Sequence, residues 1–345
     1  MIANLFAVLF CVIVIILVVF VIQANRQSET LQHSKNDTIS SPYRFSTIVP
    51  DNIETFDIPC ELKPNQRLIY DMYTNNLVDI EFPDIFDEEK TNTNIPHSII
   101  QTFISNTLPR NMFNAVSSIL FSNLNFSYRF YNDQMARSFI QENFTNPKIL
   151  KAFDILVPGA FRADIFRLCV LIIHGGFYLD VSFSVQYNDI GDMCKVLAQY
   201  PDIDLVIAKE SKHTRKSGDS VYNAIIGAKP EHPVIKYILE KIVDRVLRRW
   251  WPPEHDYTAL AFTGPVAFAH FYNEYYGKKH TTPISLGHDR ARSVLVLEFE
   301  DGKIKDNDHV IFSNKYNMWR HDRPKGAHYT TLFAQKNVYR KLTSF

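Results

Sequence analysis

The chain has no excess of either charge: among 345 residues, 37 Lys and Arg stand against 37 Asp and Glu, and the pI is about 7.2. That balance removes the electrostatic footprint by which proteins hold nucleic acid. A G-x-G-x-x-G turn is missing throughout, which excludes the phosphate cradle of a Rossmann oxidoreductase. Cysteine is scarce, with four residues. Cys11 and Cys169 lie in apolar runs, so Cys60 and Cys194 are the conceivable disulfide pair, and sequence alone does not join them.

Positive charge is also missing ahead of the first apolar run, Leu5 to Ile22. At 1.5 Å per residue that run reaches about 27 Å, enough for a bilayer core. Residues 1–23 therefore read as a membrane-spanning signal anchor. A cleaved signal peptide would call for a shorter core and a preceding positive residue. Arg26 after the span mildly opposes a lumenal remainder under the positive-inside rule.

Beyond the run, residues 24–94 are polar and irregular, punctuated by Pro42, Pro50, Pro59 and Pro64 and an acidic patch around Asp84, Asp87, Glu88 and Glu89. This reads as a stem, with short apolar runs at 68–72 and 77–82 for packing part of it onto the domain beyond residue 94. From 95 to 345 the periodicities alternate. Strands are expected near 95–103, 127–131 and 204–208, and helices near 111–121, 133–142, 147–153 and 233–250. A 46% hydrophobic content supports one large core of α/β class, a sheet covered by helices.

The stretch from Ala163 to Gln186 is the most informative. Ile165 to Ile173 is almost wholly apolar, so it reads as a buried helix, yet Asp164 and Arg167 sit on it one turn apart. Gly175 and Gly176 end the helix. Phe177, Leu179, Val181, Phe183 and Val185 then alternate with Tyr178, Asp180, Ser182, Ser184 and Gln186, predicting a strand on which Asp180 and Ser182 share a face, about 7 Å apart. An ordinary ion pair would explain Asp164 and Arg167 singly, but a salt bridge among apolar residues is weak support for stability, so a site is the better account.

Arg162-Ala163-Asp164-Ile165-Phe166-Arg167, the apolar helix and Gly175-Gly176-Phe177-Tyr178-Leu179-Asp180-Val181-Ser182 together resemble glycosyltransferase family 32, the sugar-binding region containing a DXD motif. Ile95 to Thr102 resembles that family's opening strand, Asn223 to Ala228 with His232-Pro233 its middle segment, and Thr263-Gly264-Pro265 its T-G-P turn. The second Asp of the motif is Ser182 here.

The resemblance implies a GT-A type nucleotide-diphospho-sugar transferase fold over 95–345, a Rossmann-like mixed sheet flanked by helices and preceded by one N-terminal transmembrane helix. It also implies retaining transfer of a hexose, with mannose from GDP-mannose onto a glycan or a glycolipid like inositol phosphoceramide as the leading case. UDP-linked galactose or N-acetylglucosamine is the alternative donor, and a non-catalytic sugar-nucleotide-binding protein the alternative function, motivated by Ser182. A divalent cation, Mn2+ or Mg2+, is implied at Asp180 and Ser182. Catalytic roles fall on Asp164, Arg167 and Asp180, and donor binding on these with Asp133, Arg162, Asn223, Thr263, Gly264 and His328. The family setting implies a single-pass type II membrane protein of the Golgi or endoplasmic reticulum with its catalytic domain lumenal. Sequons at Asn36, Asn125 and Asn143 suit that location, although a chain rich in Asn, Ser and Thr carries some by chance.

Two basic segments have plainer readings beside functional ones. Lys212, His213, Arg215 and Lys216 form a solvated loop or a lid over phosphate. Trp319 to Arg323 and Gly326 to Tyr329 form a closing C-terminal segment, in which His328 serves structure or touches metal or diphosphate.

Overall fold

The structure, a computed structural model, describes residues 55–57, 61–62, 66–70, 77–81, 94–200, 202–211, 219–253, 258–314 and 328–340. Among these, no helix is long and apolar enough to cross a membrane. The Leu5–Ile22 span, Cys60, Asn36, the 212–216 basic loop and Trp319 to Ala327 lie outside them.

Fifteen strands and eight helices are described. Within the expected stem are β1 (Thr55–Asp57), β2 (Glu61–Leu62), β3 (Gln66–Tyr70) and β4 (Leu77–Glu81). Then come β5 (Ser98–Thr102), β6 (Thr107–Pro109), α1 (Arg110–Ser122), β7 (Ser127–Tyr131), α2 (Asp133–Asn143), α3 (Pro147–Ile155) and α4 (Gly159–His174). The chain continues through β8 (Gly176–Leu179), β9 (Phe183–Ser184), α5 (Met193–Leu197), β10 (Leu205–Glu210), β11 (Val221–Ala228), α6 (Pro233–Leu247) and α7 (Pro265–Tyr275). It closes with β12 (Gly287–Asp289), β13 (Val294–Glu300), β14 (Lys303–Asp306), β15 (His309–Asn314) and α8 (Tyr329–Ala334).

The main sheet runs β2-β7-β5-β8-β11-β10-β13-β14-β15-β9, with β12 on β13. β5 is parallel to β7 and β8, β10 is parallel to β13, and β11 is antiparallel to both β8 and β10. The carboxyl ends of β5, β7, β8, β10 and β13 therefore share one edge, where ligands of open α/β sheets bind. One face is covered by α2, α3, α4, α6 and α7, the other by α1 and α5, each over its own apolar core. The region read as an irregular stem contributes strands to this body, since β1 pairs with β6 and β2 with β7.

Local chemistry sets the element ends. Asn132 caps α2 by accepting from Met135 N at 2.8 Å, and Asn146 with Pro147 opens α3. Gly175, at φ 64°, ends α4, its N–H donating to Leu171 O at 2.9 Å. Gly176 follows at φ 92°, and a Cβ there would meet Ser98 O at 2.6 Å, so only glycine lets β8 lie this close against β5.

Two expectations are corrected. The strand drawn through Gln186 stops at Leu179; Asp180 to Ser182 is a turn closed by Phe183 N donating to Asp180 O at 3.1 Å, and β9 pairs with β15 at the sheet's far end. Alternation along the sequence cannot tell one strand from two joined by a tight turn. The helix begun at Pro233 ends at Leu247, because Arg249 turns left-handed at φ 51°. Arg245, in its last turn, donates to Ala261 O at 2.6 Å and so braces the turn before Thr263.

Candidate active site

Asp164 and Arg167 are buried within α4, at 7% and 5% exposure. Their partners come from three distant elements. Asp164 Oδ1 receives Asn223 Nδ2 from β11 at 2.9 Å and lies 3.1 Å from Arg167 Nη2. Asp164 Oδ2 receives Thr263 Oγ1 at 2.7 Å. Gly264 follows, where a Cβ would be in tight contact with Leu260 O at 3.3 Å and in ordinary contact with Asp164 Oδ2.

Arg167 is held on every side. Its Nη1 donates to Asn223 O, its Nε donates to Ala163 O at 3.3 Å, and its Nη2 lies 3.6 Å from Asp180 Oδ1. The guanidinium sits 4.6 Å from the ring centre of Tyr178. It is a fixed cation shared by two carboxylates, the planar fork that arginine supplies and lysine does not.

Asp180 stands at the mouth, its side chain 37% exposed. Tyr178 OH donates to its Oδ1 at 3.0 Å, and its backbone N–H donates to Ala224 O at 2.9 Å. Gln101 Nε2 reaches Asp180 O at 3.4 Å and is itself steadied by Tyr128 OH at 3.1 Å. Tyr178, Gln101 and Tyr128 were not among the expected site residues. The available signal was polarity beside a run of isoleucine: Gln101 follows Ile99 and Ile100 in β5 and is fully buried.

The electrostatics follow the burial. Burial raises the Asp164 pKa above the ordinary carboxylate value, opposed by Arg167 and Thr263. Burial likewise pushes the Tyr178 phenol well up, so it stays a donor to Asp180. Burial works against the Arg167 charge, but Tyr178, Asp164 and Asp180 outweigh it and the pKa rises.

Three expected residues lie apart from this cluster. Arg162, at the start of α4, pairs with Asp133 at the start of α2 and donates to Leu156 O and Val157 O. His328 is the N-cap of α8, its Nδ1 2.6 Å from Thr330 Oγ1 and accepting from Thr330 N at 3.4 Å. Tyr329 beside it reaches Phe161 of α4 at 5.9 Å between ring centres.

Ser182, the residue at the motif's second Asp, is 2% exposed, and its Oγ has no hydrogen-bond partner. Among the described residues, no group of three His, Cys, Asp or Glu side chains converges on one point. Ser182 nevertheless offers an unpartnered hydroxyl oxygen, and Asp180, two residues before it in the turn, offers an accessible carboxylate. Magnesium-class ions accept such a pair with water and phosphate oxygens filling the remaining positions.

Parts of the chain are similar to known proteins. Residues 109–199 match the family model described as the glycosyltransferase sugar-binding region containing DXD motif. The inositol phosphoceramide mannosyltransferase 2 of Schizosaccharomyces pombe is 27% identical over 218 residues, 63% of this chain and 56% of its own. An uncharacterized glycosyltransferase of Acanthamoeba polyphaga mimivirus is 28% identical over 150 residues, 43% of this chain and 55% of its own. The chain thus spans little more than half the length of these relatives. The solved structure of the PaToxG glycosyltransferase matches 53% of this chain and 70% of its own, with a TM-score of 0.37 and 14% identity. Over residues 109–199 the chain is thus similar to glycosyltransferase sugar-binding regions containing a DXD motif, and its D-x-D-like stretch reads Asp180-Val181-Ser182.

Proposed function

We propose that the chain is a glycosyltransferase that moves a hexose, mannose from GDP-mannose, onto a hydroxyl of a glycan or of a glycolipid like inositol phosphoceramide, with retention at the anomeric carbon. The observation that carries the reading is the convergence of Asp164, Arg167 and Asp180, inside the matched region, with Asn223 and Thr263, outside it, at the carboxyl edge of the sheet. The mannosyltransferase relative favours mannose over UDP-linked galactose or N-acetylglucosamine. The same reading makes Leu5–Ile22 an anchor, with the domain in the lumen of the Golgi or endoplasmic reticulum.

In this mechanism Asp164 binds the donor sugar. A carboxylate offers about four acceptor positions, and three are taken by Asn223, Thr263 and Arg167, which leaves one for a hexose hydroxyl. Arg167 pairs with both carboxylates and orients them, so their geometry is set before substrate arrives. Asp180 and Ser182 would hold the divalent cation, which when bound neutralises the diphosphate leaving group. Asp133 and Arg162, paired with each other, and His328 stay in this reading as donor contacts outside the Asp164 cluster.

Ser182 favours a second reading, a sugar-nucleotide-binding protein without turnover, because the pair carries one negative charge where D-x-D carries two. Nucleotide release from GDP- and UDP-sugars, measured with manganese, with magnesium and with chelator, separates the two. The enzyme reading expects GDP release that Asp180→Ala abolishes; binding without release from any donor overturns it.

A further inference from the structure

On the face of β11 opposite Asn223 stands Tyr222, since side chains alternate along a strand. Tyr222 and Phe299 of β13 lie face to face, with ring centres 3.6 Å apart and planes within 1°. Rings left to themselves prefer offset or edge-on packing, so this pair is set by its surroundings. Asn314 Nδ2 donates to Tyr222 OH at 2.7 Å, and Phe183 meets the Tyr222 ring edge-on at 6.2 Å. Glu210, at the carboxyl end of β10, lies opposite Phe299 in the strand register and is buried, with Ser220 Oγ donating to its Oε2. Both residues are half-buried, packed against the core on this face.

This platform adjoins the candidate active site. Phe183 is the residue that closes the Asp180 turn, and it pairs with Asn314 between β9 and β15. Ala224, which receives Asp180 N, is two residues along β11 from Tyr222, about 7 Å at strand spacing. Side chains of Asp164 and Asn223 take one face of β11 for the donor, and the aromatic pair lies on the other. An apolar ring surface bordered by a carboxylate and a carboxamide is the chemistry that recognises a hydroxylated six-membered ring, one face stacked and the hydroxyls hydrogen-bonded.

We propose that Tyr222, Phe299, Glu210 and Asn314 form the acceptor subsite and take a hydroxylated six-membered ring, a hexose or an inositol. The assignment rests on the glycosyltransferase reading and names where its second substrate sits. Preorganised stacking orients the ring, and Glu210 with Asn314 selects its hydroxyl pattern.

Titration of the full-length protein with methyl α-D-mannopyranoside and, separately, myo-inositol, followed by saturation-transfer NMR, tests it and distinguishes the two ring types. Saturable binding of at least one ring is expected, weakened about tenfold in Tyr222→Ala, as the loss of an aromatic stack implies. Tyr222→Phe should retain most of the affinity, and Glu210→Gln should weaken binding without altering the thermal transition. Binding of neither ring, or equal binding by Tyr222→Ala that melts like the parent, overturns the proposal. Failure of the underlying reading looks different, because the parent protein would then release no nucleotide from any donor.

Discussion

Asp164 and Thr263, 99 residues apart, are joined by a 2.7 Å hydrogen bond that fixes the turn before α7 against the middle of α4. The bond matters because Asp164 is buried and cannot exchange a lost partner for water.

Thr263→Val keeps the shape and removes the donor. A buried acceptor losing one partner costs about 1–3 kcal/mol. Thermal unfolding should show that loss, and KM for the sugar donor should rise because Asp164 is no longer held. Thr263→Ser should recover both; a Val variant with parental melting and KM would show that the bond orders nothing.

Tyr178 is expected to act through Asp180. Removing only its hydroxyl, Tyr178→Phe, leaves the ring beneath Arg167 and withdraws the donor to Asp180 Oδ1. The apparent affinity for manganese should change by several-fold while stability moves by about 1 kcal/mol, one ordinary hydrogen bond. Tyr178→Leu, which also removes the cation–π contact, should lose stability further, by about 0.5–2 kcal/mol. Equal metal titrations for the parent and Tyr178→Phe would deny Tyr178 a role in orienting Asp180.

Ser182→Asp restores the second charge of the motif. If Asp180 and Ser182 hold the cation, manganese should bind the variant about tenfold more tightly, readable by electron paramagnetic resonance without any turnover. The new carboxylate enters a site only 2% exposed, so without bound metal the variant should melt lower and recover on adding manganese. A lower melting point that manganese does not restore would place the metal elsewhere.

His232 supplies a pH test. Burial lowers its pKa to about 4, so the folded state holds the ring neutral where the unfolded chain, near 6.5, takes up a proton. The unfolded state thus binds more protons between these values, and stability falls as pH drops through that window. The full effect is about 3 kcal/mol, from the gap between the two values. Stability of the parent minus that of His232→Gln, by chemical unfolding from pH 7 to 4, should follow this slope; a flat difference would contradict the buried neutral ring.

Much of the site could be read from residue order. Asp164, Arg167 and Asp180 stood out because charge in an apolar helix and a carboxylate after a strand are local anomalies, and local patterns are what sequence displays directly. The 3.6 and 2.0 periodicities likewise placed β7 at its observed residues and α2 within one residue of its end. Other features depend on approach in space. Asn223, Thr263 and Tyr178 do not adjoin Asp164 or Arg167 along the chain; sheet order brings Asn223 and Tyr178 there, and the turn before α7 brings Thr263. The Asp180 turn escaped notice because a polar-apolar alternation continues across it unchanged.

The amino-acid order by itself determined that this chain buries an ion pair beside a motif carboxylate within an α/β body, since hydrophobicity and charge are properties of residues. Which partners satisfy that pair, and that Ser182 is sealed from solvent while Asp180 stays open, was decided by tertiary structure. Hydrogen bonds and burial belong to pairs and surroundings, and those exist only once α4, β8, β11 and the turn before α7 have met.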